Sequence, residues 1–192
     1  VLEKGSDIKI TNRIPSAIII FLRGLGQIML QKNATTGLLF LVAIFIGSFS
    51  MGIAASLAVL CGTLTAILLK YNRTEIEDGL YGFSAALVGI ALIFYFKPVF
   101  VVWLFIIIGS IAAAMLQHFF ITKKIPAFTL PFVLVTWVIM FLIKNLLTVP
   151  LSDFLSASYS GNQNFAFVLK GFSQVIFQKG FLTGVILFIG VF

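Results

Sequence analysis

From Val99 to Thr122 the chain runs without one Asp, Glu, Lys or Arg. At 1.5 Å per residue, such a run makes a helix long enough to cross the roughly 30 Å apolar core of a bilayer. The rest of the sequence has the same character. Hydrophobic residues make up 60% of the 192 and charged ones 10%, against about 45–50% and about 25% in a soluble domain. A chain so short of charge cannot cover its own surface in water. Its fold class is therefore an all-α polytopic membrane protein, and a lipid bilayer is its first partner.

Breaks in the apolar pattern set the organisation. Residues 1–13 are polar and read as a surface segment. Residues 14–31 are interrupted by Arg23, Gly24, Gly26 and Gln27, too polar for a span, and predict a re-entrant half-helix, which is tolerated where protein or a cavity surrounds it. No small-residue cleavage pattern follows, so this is not a signal peptide. Five spans come next. Residues 37–49 and 51–69 form a hairpin broken near 47–50, and a charged loop covers 70–78. Residues 79–96 form a third span, ended where Pro98 disfavours helix at the residue before it. Residues 99–122 and 126–147 complete the set. Gly109, Ser110, Ala112, Ala113 and Ala114 put small side chains on the fourth span, which predicts packing on protein rather than lipid. A polar loop occupies 149–166. The chain starts at Val1 and ends at Phe192 inside an apolar run, as expected of a piece of a longer protein.

The net charge is +7, yet the positive residues are spread between apolar runs, which reflects topology and not a nucleic-acid partner. With the amino terminus in the cytoplasm, Lys4, Lys9, Arg13, Lys32, Lys70, Arg73, Lys123 and Lys124 fall inside. Lys97 and Lys144 fall outside. This asymmetry obeys the positive-inside rule and predicts a multi-pass protein of the plasma or inner membrane. Cys61, the single cysteine, rules out a disulfide within these residues and reads as a small buried hydrophobe.

An internal repeat adds a second constraint. Residues 21–45 align without gaps on 168–192. Leu22, Gly24, Gln27, Gln31, Lys32, Thr36, Gly37 and Phe45 then meet Leu169, Gly171, Gln174, Gln178, Lys179, Thr183, Gly184 and Phe192. Eight identities in 25 pairs exceed the roughly two that chance gives, the mark of a repeat. Five spans between the copies make an odd number, so the second copy enters from the opposite face. Opposed copies form an inverted repeat with a substrate path near the bilayer midplane. The domains are then the surface segment 1–13, a first repeat 14–148, the loop 149–166 and a truncated second repeat 167–192.

Three stretches carry a resemblance: Leu22-Arg23-Gly24-Leu25-Gly26-Gln27-Ile28-Met29, Gly79-Leu80-Tyr81-Gly82-Phe83 and Pro126-Ala127-Phe128-Thr129-Leu130-Pro131-Phe132. In order and spacing they resemble the signature stretches of the urea transporter family, the last being the most specific. The resemblance implies an inverted-repeat channel fold with re-entrant half-helices and five spans per repeat, assembled as a homotrimer. It implies passive transport of urea through a narrow pore. Gln27 and Gln174 would sit at the two outer sites, with Leu30 and Phe177 as slot walls. Phe83 would face one of them, Leu87 would lie a turn deeper, and Thr129 would offer its hydroxyl at the pore centre. Ser84 stands where the family has Asn, Ile125 where it has Leu, and Leu30 where it has Phe. The second-half partners of Phe83 and Thr129 lie beyond Phe192.

The chemistry suits urea independently. Urea is flat, neutral and polar, and burying such a group without partners costs several kcal/mol. A conducting filter offsets that with neutral acceptors better than with charges. Gln and Thr supply these, and aromatic faces stack on a flat solute. No acidic residue lies in the five spans, which argues against proton- or sodium-coupled transport. Each polar residue also has a plainer reading. Gln27 and Gln174 could join helices, Thr129 could cap a helix beginning beside a proline, His118 could act structurally at the interface, and Arg23 could bond backbone carbonyls. Two functions remain beside urea conduction: a conduit for a short amide or ammonia, and a non-transporting membrane scaffold subunit. An ammonia channel would be expected to line its pore with histidines. An enzyme is excluded, since Gly24-x-Gly26 lacks the third glycine of a dinucleotide fingerprint. No catalytic set, metal-ligand motif or cofactor motif occurs.

Overall fold

A computed structural model of the chain describes residues 17–126, 128–153 and 181–191. The surface segment 1–13, most of the loop 149–166, and Gln174 and Phe177 of the second copy lie outside the described residues.

Helix α1, Ala17–Gly26, runs into a 3-10 turn, Gln27–Met29, and α2, Ala34–Gly47, leaves it at 77°. The bend has a local cause. Leu30 takes a left-handed φ of 58° that ends the first helix, and Asn33 starts the second by accepting from the Thr35 amide at 2.9 Å, an N-cap of the preferred type. Helix α1 therefore stops where the sequence placed its polar interruption.

Helix α3, Phe49–Leu68, follows after a one-residue break at Ser48, whose hydroxyl caps it at the Met51 amide. The predicted charged loop contains a short helix, α4, Arg73–Glu77, capped by Asn72. Helix α5, Gly82–Tyr95, starts three residues later than expected because a tight turn occupies 78–81. Helices α6, Phe100–Thr122, α7, Leu130–Leu146, and α8, Phe181–Val191, follow. Thr129 takes the N-cap position of α7 without a side-chain cap bond, so the capping account of this residue does not hold.

Among the described residues, only α3 and α6, of 20 and 23 residues, are long and apolar enough to span by themselves, with the bent α1–α2 pair as a third candidate. Helices α2 and α5 have 14 residues and α7 has 17, which gives about 21–26 Å at the α-helical rise. Helix α5 has no need of lipid contact: every residue from Gly82 to Ile93 is buried.

Helix packing in lipid depends on close backbone approach, not on hiding apolar surface from water. Small residues supply that approach on α5. A methyl on Gly89 would stand 2.7 Å from the Ala54 carbonyl, and one on Gly62 would stand 2.7 Å from that of Tyr81. The small-residue face of α6 packs on protein as expected. Ser110, Ala113 and Ala114 are buried, and a methyl on Gly109 would meet Ile139 at 2.5 Å and Val88 at 2.9 Å. Past α7 the chain returns to the end of α5 through a one-residue antiparallel bridge between Phe96 and Leu151, flanked by a Lys97–Asp153 ion pair of 3.2 Å. Among the described residues there is no longer strand.

Candidate pore lining at the end of the half-helix

The first two signature stretches meet through backbone. Gly79 has φ +80°, and a methyl on it would lie 2.4 Å from the Gly24 nitrogen. A methyl on Gly24 would come within 3.3 Å of the Gly82 Cα. The glycines of the two stretches thus belong to one contact, in which the end of α1 lies directly on the turn that begins α5.

Two polar side chains fasten this contact. The Arg23 guanidinium donates through Nη1 to the Glu77 carbonyl at 2.9 Å, and Gln27 Nε2 donates to the Asp78 carbonyl at 2.9 Å. These carbonyls close α4, where the last C=O groups of a helix lack partners of their own. Arg23 therefore bonds backbone as expected, and Gln27 does join two elements. Asp78 also pairs with Lys32, so one residue ties down both sides of the bend.

The predicted site residues divide into two groups. Gln27, Phe83 and Leu87 are each 3% exposed, and the 3-10 turn that begins with Gln27 packs on α5. Phe83 and Leu87 share one core cluster with Val135 and Ile139 of α7. Leu30 is 64% exposed, and Thr129 is exposed at the start of α7. The structure thus buries Gln27, Phe83 and Leu87, the first bonded to the turn before α5 and the other two on α5 itself, and leaves Leu30 and Thr129 at the surface of the described residues. An apolar groove of about 260 Å³ lies between α6 and α7, lined among others by Phe105, Gly109, Leu134 and Val138. None of the predicted site residues lines it.

Sequence reading passed over Gln117. The Ser84 hydroxyl donates to Gln117 Oε1 at 3.1 Å, and both residues are buried. A lone glutamine inside an otherwise apolar span was the available signal, because such a group needs a partner in lipid. The bond joins α6 to the residue after Phe83. It also shows how serine is accommodated at this position. Tyr71 and Tyr81 were missed too. They hold His118 of α6 against the segments that follow α3 and precede α5, which agrees with a structural placing of that histidine.

The urea transporter family matches residues 18–192 of the chain. Over 118 residues the chain is 30% identical to urea transporter 1 of Rattus norvegicus, an alignment covering 58% of this chain and 31% of that protein. The proteins of the same name from Mus musculus and Ovis aries match with the same identity and coverage. The chain spans about a third of the length of the curated relatives it matches. Family and relatives are described by transport and not by a reaction, which agrees with a membrane protein that is not an enzyme. This chain belongs to the urea transporter family.

Proposed function

We propose that the protein passes urea down its gradient through a narrow, neutral pore, and that the side chains of Gln27, Phe83 and Leu87 form part of its lining. The bond between Gln27 and the Asp78 carbonyl is the observation that carries this reading. With Nε2 committed there, the amide oxygen of Gln27 is the acceptor that would receive an N–H of urea. Phe83 and Leu87 sit one helical turn apart on α5, so their side chains lie on one face and can contact a flat solute that moves past them.

Gln174 and Phe177 extend the reading to the second copy, with Leu30 and Thr129 completing the path once that copy is in place. In support, α8, Phe181–Val191, packs on α2. Gly190 packs on Leu39 and Phe40 of α2. On this reading five spans separate two inverted copies, the amino terminus is cytoplasmic, and the protein is a homotrimer in the plasma or inner membrane. An ammonia conduit fits less well, since His118 is engaged with Tyr71 and Tyr81. In proteoliposomes, the complete protein is expected to speed urea exit well above protein-free liposomes, unaffected by collapsing proton or sodium gradients. Equal rates with and without protein contradict the proposal.

A further inference from the structure

Away from the Gln27 side chain, five side chains meet around one imidazole: His118 and Thr122 of α6, Tyr71 after α3, Glu75 of α4 and Tyr81 before α5. The His118 imidazole of α6 lies flat on Tyr71, with ring centroids 3.6 Å apart and planes 6° apart. Its Nδ1 is 3.0 Å from the Tyr81 hydroxyl, and that hydroxyl donates to Glu75 Oε2. Its Nε2 faces the Thr122 hydroxyl at 3.4 Å, which donates to the His118 carbonyl at 2.6 Å.

A hydroxyl has one proton to give, and both hydroxyls give theirs elsewhere. Each therefore presents lone pairs to the imidazole. A neutral imidazole carries a single N–H and can satisfy one of them, leaving lone pair against lone pair at the other. An imidazolium donates on both sides. Burial pushes the Tyr71 phenol up, so that ring stays neutral. Histidine is the side chain that changes charge near neutral pH.

We propose that His118 is a positioning residue for Phe83, acting through Tyr81, and that its protonation fastens the turn between α4 and α5 to α6. Tyr81 is buried, 1% exposed, and stands two residues before Phe83. The turn it belongs to carries the Asp78 carbonyl that holds Gln27. The groups facing the imidazole are Tyr71 after α3, Tyr81 before α5 and, through Tyr81, Glu75 of α4. Lys123 and Lys124 follow at the end of its own helix. From α1, Ile20 joins the cluster around Tyr81, and Arg23 is bound to the Glu77 carbonyl. The inference rests on the pore reading of Phe83.

Hydrogen exchange of the complete protein in liposomes, corrected for intrinsic rates, tests the latch without reference to urea. Native amides over residues 72–82 are expected to be protected about fivefold or more better at pH 6 than at pH 8, the lower range of a coupling between two sites. His118→Gln and Tyr81→Phe are expected to lose that ratio while amides of α3 and α6 stay protected, which shows that the variants fold. The same ratio in native and both variants overturns the latch. Urea flux then tests positioning: native flux falls from pH 6 to pH 8 and variant flux does not. A pH-dependent latch with identical flux profiles overturns the positioning role. A native protein that passes no urea, yet keeps the exchange ratio, overturns the conduction reading and leaves the latch standing.

Discussion

Gln27 and Asp78 are 51 residues apart in the chain, and a 2.9 Å hydrogen bond from the side-chain amide of the first to the backbone carbonyl of the second joins them. That bond fixes the end of the half-helix to the turn that starts α5. Gln27→Ala leaves the carbonyl unpaired in a partly buried setting, which costs about 1–3 kcal/mol. It also removes an acceptor from the proposed path. Urea flux in proteoliposomes is expected to fall about tenfold, the equivalent of one such hydrogen bond, with the protein still folded by circular dichroism. Undiminished flux would leave Gln27 with the joining role alone.

Gly79 tests whether the contact between α1 and α5 is as close as described. Alanine there meets two penalties, a positive φ and a methyl 2.4 Å from the Gly24 nitrogen. Because the obstacle is backbone, it cannot rotate away. Gly79→Ala is expected to destabilise by about 2–4 kcal/mol, a left-handed penalty plus overpacking, read as a lower thermal midpoint in detergent. Gly190→Ala, where the nearest atom is the Leu39 Cβ at 3.3 Å, is expected to have a much smaller effect.

Leu30 is a branched residue held at φ 58° and 64% exposed. Leu30→Asn removes part of a left-handed penalty of roughly 1–2 kcal/mol, so thermal stability is expected to rise. If the side chain also forms a slot wall, discrimination between urea and a bulkier methylurea falls at the same time. Raised stability with unchanged discrimination removes Leu30 from the slot.

These residues show how much the sequence could say. The bend between α1 and α2, the break at Ser48 and the packing face of α6 were legible because each has a local cause: a polar interruption, a cap, a run of small side chains. The helical class was legible from missing charge alone. Helix α4 was not, since its five residues read as loop chemistry and gain order by closing on Arg23 and Gln27. Nor could the sequence pair Gly24 with Gly79 and Gly82. Glycines mark close approach without naming what approaches. Ser84 was visible as a departure from the family pattern, but its partner Gln117 lies 33 residues on and appears only when α5 and α6 are packed. The left-handed turn at Leu30 was hidden, because leucine is a poor residue for it.

Thr129 offers a clean separation of stability from transport. Its side chain makes no cap bond and is exposed among the described residues. Thr129→Val should therefore change stability by less than about 0.5 kcal/mol, as surface substitutions do. Urea flux is nevertheless expected to drop severalfold, since the hydroxyl that would face the solute is gone. Unchanged flux takes Thr129 out of the pore.

The account depends most on the opposed orientation of the two copies. Lys32 and Lys179 occupy equivalent positions in them, and Cys61 is the one native cysteine of these residues. In the complete protein with every native cysteine replaced, Lys32→Cys and Lys179→Cys should react with a membrane-impermeant thiol reagent from opposite faces of the membrane. Labelling of both from the same face would contradict the inverted arrangement.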